Sequence, residues 1–384
     1  MKKGSTSRRT TLWYGPVTPK LNGQKRVDCN LKCYRSNAMN AKIVVLYAAR
    51  SLGIFALFRL LTARFTRILC YHGGSVGDEH LFNPKLFCRP GLLLRRLEWL
   101  KRKGFSPSTL DALVQSGMSG TQQGIPLIVT LDDGWYSSAK DLLPVLAKFN
   151  FKPTLYLATK VFCNGNPVID VCLRYILWKS PLKEINIVGV AFELDGIYAL
   201  TQSADRERLC SAAQAWLTPF ESDGVAIRAQ LEHFAALLNV SAAALDLVSR
   251  RFDYMGVDEL LCAVRGGCTI ELHGHAHNYV MGDPKRNRID IEACRTEILK
   301  LGVPTPRHYC YPSGSFDKEA STMLASINIK TATTCIPGLV FDVSESKSYF
   351  LPRLLDGADV SMIEFEAEMS GVLSFLRRIA GRST

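Results

Sequence analysis

The chain has no C-x-x-C pair, although twelve cysteines are spread over its 384 residues. That leaves no paired-thiol motif for redox or zinc chemistry. Cys70 and Cys262 lie in apolar runs, where cysteine acts as a small hydrophobe. The set reads as reduced thiols in a cytosolic protein. No apolar run follows Lys2-Lys3 directly, so there is no secretory leader pattern and a cytoplasmic location is expected. No internal repeat stands out. The formal charge of +12 is uneven: residues 1–38 hold nine basic residues against Asp28 alone. This Ser-, Thr-, Asn- and Gly-rich stretch reads as a basic disordered extension, with Met39 as a candidate natural start. No aromatics alternate with its charges, so no nucleic-acid partner is expected.

A clean membrane span is also missing. Ile43–Leu61 is long enough to cross a bilayer, but Arg50 lies at its middle and Arg59 near its end. A central Arg costs about 2.5–3.5 kcal/mol on insertion scales. The stretch reads as an amphipathic helix within 39–66. It is either docked on the domain or lies in a membrane interface, with Lys42, Arg59, Arg64 and Arg67 near headgroups. The span stays a third, disfavoured option.

Downstream, Arg67–Tyr71 reads as a strand and Pro90–Lys103 as a helix, with a stripe of Leu93, Leu94, Leu97 and Leu100. Pro126–Leu131 is a continuous apolar run, the pattern of a parallel strand buried on both faces. A helix over Ser137–Phe149 and a strand over Pro153–Ala158 follow. This order predicts an α/β domain over 67–384, with active residues at the C-terminal strand ends. Between about 161 and 253 the alternation breaks, giving an inserted α+β segment with a hairpin around Asp195-Gly196. Alternation then resumes and closes with a helix over Ser361–Ile379.

Histidine is scarce, with seven in the chain, yet His273, His275 and His277 sit at alternate positions. Neutral imidazole is the commonest metal ligand near neutral pH, and two of these rings converge in either a strand or a helix. Asp132-Asp133 ends the Pro126–Leu131 strand. Alone it reads as a helix cap. Beside a metal, one carboxylate binds while the other accepts a proton from water. Tyr311-Pro312-Ser313-Gly314 is a turn after a strand, able to aim a backbone N–H at a developing oxyanion. Together these segments point to metal-assisted hydrolysis.

Thr130-Leu131-Asp132-Asp133-Gly134, His273-Gly274-His275-Ala276-His277 and Tyr311-Pro312-Ser313-Gly314 resemble, in order, motifs of the polysaccharide deacetylases of carbohydrate esterase family 4. The resemblance runs from about Arg67 to Asp356 and includes Tyr71-His72 and Leu351-Pro352-Arg353. It implies a distorted (β/α) barrel of about seven strands that removes N-acetyl groups from amino sugars of a saccharide or glycolipid precursor. It also implies that Asp133, His273 and His277 bind a divalent metal, most often zinc. Asp132 would be the general base, and the Ser313 N–H would stabilise the oxyanion. Trp135, His72, His275, Tyr311 and Pro312 are the expected substrate contacts. The chain departs from the pattern in three places. Cys310 stands where the motif has Arg, Gly274 replaces a hydroxyl residue, and no histidine follows His308 to serve as the general acid. Candidates for that proton are His72, His275 or Asp132 itself. The alternatives are a same-fold hydrolase of another amide, such as a deformylase or cyclic amidase, and an inactive saccharide-binding relative.

Overall fold

The structure, a computed structural model, describes residues 31–116, 124–341, 343–344 and 346–381, with side chains from residue 41 onward. Contacts divide the chain into two units, Met1–Val45 and Leu46–Thr384. The expected basic extension lies outside the described residues up to position 30. From Leu31 the chain is already helical, so the first helix runs Leu31–Ser51 and begins before residue 39. The single amphipathic helix expected over 39–66 is two helices. The break falls at Gly53, whose φ of 76° is left-handed, and a second helix runs Ile54–Leu61. Glycine adopts that conformation without a Cβ penalty, which explains the stop. Among the described residues no single helix is long and apolar enough to cross a membrane.

The second unit is built on a parallel sheet: β1 (Arg67–Tyr71), β2 (Phe105–Pro107), β3 (Ile125–Asp133), β4 (Thr154–Leu157), β5 (Thr269–Leu272), β6 (His308–Cys310), β7 (Thr331–Thr333) and β8 (Leu354–Leu355). Seven strands run in the order β7-β6-β5-β4-β3-β1-β8, and β2 pairs with the start of β3. The two ends of this row approach each other. Leu351, just before β8, donates its N–H to Ala332 of β7, and Thr334 donates back to Leu351. The sheet is therefore curled into a distorted (β/α) barrel. β3 is buried at nearly every position, as its unbroken apolar run requires.

Local chemistry explains the elements around it. The helix Pro90–Arg102 has Pro at its first position and buries Leu93, Leu97 and Leu100. The segment predicted as one helix over Ser137–Phe149 is a π-turn (Ser138–Leu142) running into a short α-helix (Leu143–Ala147). The closing helix is also divided. Gly371, at φ 88°, separates Met362–Ser370 from Val372–Ile379. A Cβ there would meet Thr62 Oγ1 at 2.7 Å, so glycine is needed for both conformation and space.

The inserted segment has its own apolar cluster, formed by helices Ile169–Lys179, Ser203–Leu217 and Gly224–Leu237 with an antiparallel hairpin, Glu184–Ile187 and Gly196–Ala199. Its C-terminal end returns to the barrel beside β3. Tyr136 donates to Asp253 O and Met255 to Gly134 O, at 2.9 and 2.8 Å. The insertion thereby clamps the turn that carries Asp132 and Asp133.

Candidate active site and metal centre

Asp132 and Asp133 end β3, His273 follows β5, and Ser313 follows β6, all at the same end of the barrel. Three of the residues singled out from the sequence have left-handed backbones despite carrying side chains: Asp133 at φ 75°, His277 at 52° and Ser313 at 54°. Such conformations cost of order 1–3 kcal/mol each and persist where surrounding structure enforces them, often at functional sites. Here Gly134 and Gly314, at φ 105° and 69°, flank two of them, and Gly274, at φ 79°, opens the loop that leads to His277. A Cβ on Gly134 would meet Leu157 Cδ1 at 2.5 Å, and one on Gly274 would meet Asp290 Oδ2 at 2.6 Å. Gly274 is thus what lets the loop close on Asp290, whose carboxylate accepts the N–H groups of His275 and Ala276 at 2.9 and 2.8 Å.

The ligand atoms of Asp133, His273 and His277 lie within 4.8 Å of one another. The Nε2 atoms of His273 and His277 stand 3.3 and 3.2 Å from Asp133 Oδ1. Tetrahedral ligands on a cation at 2.0–2.1 Å are separated by about 3.3 Å. Asp133 Oδ1 is buried and has no properly directed hydrogen-bond donor among the described residues, while Oδ2 accepts from Trp135 Nε1 at 2.8 Å. His273 Nδ1 lies 2.9 Å from the Cys310 carbonyl, which calls for a proton on Nδ1 and leaves Nε2 as the free lone pair. Thus the backbone of Cys310 supports His273, and no hydroxyl at position 274 is required. The donor set fits a divalent cation. Substituting Ala for His273, His277 or Asp133 should each remove bound metal. Elemental analysis after dialysis checks this, and full metal content in all three variants would show that the centre lies elsewhere.

Asp132 is buried, and Arg353 grips both its oxygens. Arg353 Nη1 donates to Oδ1 at 2.7 Å and Nη2 to Oδ2 at 2.8 Å. The thiols of Cys70 and Cys310 each lie 3.5 Å from Oδ2. Burial opposes ionisation, but the Arg353 guanidinium overcomes it and holds the carboxyl at about 2. Arg353 is itself fully buried, with Cys310 Sγ at 3.1 Å. The arginine missing at position 310 is therefore supplied from the segment before β8. Sequence reading missed this role. The signal was the late Leu351-Pro352-Arg353, but which carboxylate it would meet depends on the closing of the barrel.

The expected substrate contacts divide. Trp135 is 1% exposed, packed between Phe87 and Tyr254, and its only donor goes to Asp133. It orients the Asp133 carboxylate and offers no face to a sugar. Tyr311 is also buried, donating to Tyr349 O, and Pro312 beside it is buried too. These two shape the turn and do not present surface. His275 faces away from the cluster, with Nδ1 2.9 Å from Thr159 Oγ1. His72 is half-buried, with Nε2 3.9 Å from Asp132 Oδ2. Ser313 is exposed, and its N–H has no acceptor among the described residues.

Residues 247–332 match the family model described as polysaccharide deacetylase. This match includes His273, His277 and Ser313 but stops short of Asp132 and Asp133, which the fold brings to them. That segment resembles the polysaccharide deacetylases. The fold of the chain recurs in a deacetylase, PplD, from Streptococcus pyogenes solved with acetate, at TM-score 0.51 and 14% identity, covering 79% of this chain and 98% of that one. It recurs in IcaB from Ammonifex degensii at TM-score 0.50 and 13% identity, covering 80% and 97%. No curated protein sequence matches.

Proposed function

We propose that the protein is a metal-dependent hydrolase that removes N-acetyl groups from amino sugars of a saccharide or sugar–lipid precursor at the cytoplasmic side of a membrane. The convergence of Asp133, His273 and His277 around an unpartnered buried oxygen carries this reading, with the ionised Asp132 beside it. A divalent cation held there, most simply zinc, supplies Lewis acidity toward an amide carbonyl and toward a water.

The chain's own groups complete the chemistry. Asp132 stays ionised across the working range and accepts the proton of the attacking water. Its weak intrinsic basicity suits a water already acidified. The Ser313 N–H donates to the carbonyl oxygen as negative charge develops there, an interaction stronger in the transition state than in the ground state. His72 is the favoured source of the proton for the departing amine. It faces Asp132, whereas His275 is tied to Thr159.

The role given to Ser313 is a main-chain role, so Ser313→Gly should keep turnover close to that of the parent. Glycine also relieves the left-handed strain, so stability should hold or rise by up to about 1 kcal/mol. A large fall in kcat would assign the function to the hydroxyl instead. The proposal as a whole is tested by incubating zinc-loaded protein with N-acetylhexosamine oligomers and assaying acetate. Formate from an N-formyl analogue, without acetate, would redirect the substrate assignment.

A further inference from the structure

A cavity of about 710 Å³ is lined by Phe316, just after the turn that carries Ser313, and by Pro352. Its size is that of a ligand pocket. Phe316, Leu339, Phe341 and Phe350 give it apolar walls. Two wall residues tie it to the active site. Phe316 follows Ser313 by three residues, a reach of at most about 11 Å, and Pro352 precedes the Arg353 that grips Asp132. The lining is also cationic: Lys318, Lys347, Arg377 and Arg378 stand against one acid, Asp317. Asp317 accepts from Tyr279 and from the N–H groups of Gly282 and Glu319. Arg377 is paired with Glu368, and Arg378 lies over the Phe341 ring at 5.1 Å. Net positive charge remains at the rim.

The helix Val372–Ile379 that forms one wall turns its other face outward. Phe375, Leu376 and Ile379 are exposed, as are Leu57, Leu60 and Leu61 on the neighbouring helix, and Phe58 packs on Phe375 at 5.1 Å. An exposed apolar face of two packed helices, flanked by arginines, suits the hydrocarbon and anionic layers of a bilayer.

Building on the hydrolase reading, we infer that this cavity receives the hydrocarbon chain of an anionic, phosphate-bearing lipid that carries the acetamido sugar. The chain enters across the apolar helix face, the phosphate meets Lys318 and Arg378, and the sugar reaches Asp132 and the metal ligands. Affinity then grows with chain length, because each methylene taken from water adds to binding. Retention of the negative headgroup is a separate, charge-dependent contribution.

The test compares dodecyl and hexyl phosphodiesters of N-acetylglucosamine as substrates for the full chain. The kcat/KM for the dodecyl compound should exceed that for the hexyl one by about tenfold or more. Phe341→Asp, which places a charge in the groove, should bring the ratio toward one. The exposed double substitution Lys318→Glu/Arg378→Glu should weaken both esters by a larger factor than it weakens an uncharged N-acetylglucosamine oligomer. Equal kcat/KM for the two chain lengths in the parent protein would overturn the inference and leave the hydrolase reading intact. If neither ester is hydrolysed, calorimetry with dodecyl phosphate against inorganic phosphate decides. Tighter binding of dodecyl phosphate upholds the lipid groove and no preference overturns it, while acetate release from N-acetylhexosamine oligomers separately decides the hydrolase reading.

Discussion

Asp132→Asn should abolish acetate release while leaving the metal in place. The substitution is nearly isosteric and spares Asp133, His273 and His277. It removes the negative charge and the lone pair that accept the water's proton, and loss of a general base costs about 10²- to 10⁴-fold in kcat. Stability must be measured alongside, because Arg353 is buried against this carboxylate. Breaking one side of a buried pair costs about 3–5 kcal/mol, though the Asn oxygen still accepts one guanidinium N–H. The informative comparison is therefore between folded samples of equal metal content. Turnover within a small factor of the parent, in protein that still holds its metal, would remove Asp132 from the mechanism.

Arg353→Met should be nearly as damaging, by a different route. Arg353 touches no reacting atom on this reading. It is a positioning residue that fixes both oxygens of Asp132 and keeps the carboxyl ionised. Without it, burial is no longer opposed by the guanidinium, and the carboxyl moves from about 2 upward past its ordinary value. The sign of the effect on stability reverses. In the parent, Asp132 adds stability above the unfolded value near 3.9, and this is lost as pH falls through about 2. In the variant the folded carboxyl holds its proton more tightly than the unfolded one, so the contribution is present in acid and lost as pH rises. Metal-free Arg353→Met should thus lose about 3–5 kcal/mol near neutral pH and recover relative stability in acid. The acid limb of its kcat/KM profile should move to higher pH. Denaturant titrations of parent and variant at several pH values read the first effect. A parallel pair of stability curves would contradict the account. Arg353→Lys should recover only part of both effects, since an ammonium lacks the planar fork that meets two oxygens at once.

Position 310 shows how a sequence departure misleads when read alone. Cys310 replaces an arginine of the motif, which leaves the base without a partner as far as the linear pattern goes. In space, Cys310 gives its carbonyl to His273 and its thiol to the Asp132–Arg353 pair. The arginine arrives from 43 residues downstream. Trp135 misleads in the opposite sense. An aromatic next to the acidic pair reads as a sugar platform, but clamping of this turn by Asp253 and Met255 turns the ring inward onto Asp133.

The N-terminal and C-terminal helices carry a related lesson. Apolar periodicity runs through Gly53 and Gly371 without interruption, so each segment reads as one helix. A side-chain pattern does not report backbone φ, and glycine permits either outcome. Beyond these breaks the second and last helices pack on each other, with Phe58 against Phe375 at 5.1 Å.

By itself, the sequence determined the parallel α/β order and the inserted segment, and it singled out the acidic and histidine segments as candidate metal ligands. These follow from local quantities: buried strands need unbroken apolar runs, and ligand chemistry needs particular side chains. Tertiary structure alone decided which residues support those candidate ligands, where the arginine comes from, which expected contacts are buried, and that an apolar, cation-rimmed groove opens beside Phe316 and Pro352. Each depends on how the row of strands closes and how far apart in the chain two neighbouring atoms lie, and no local pattern encodes a contact across 221 positions such as Asp132 with Arg353.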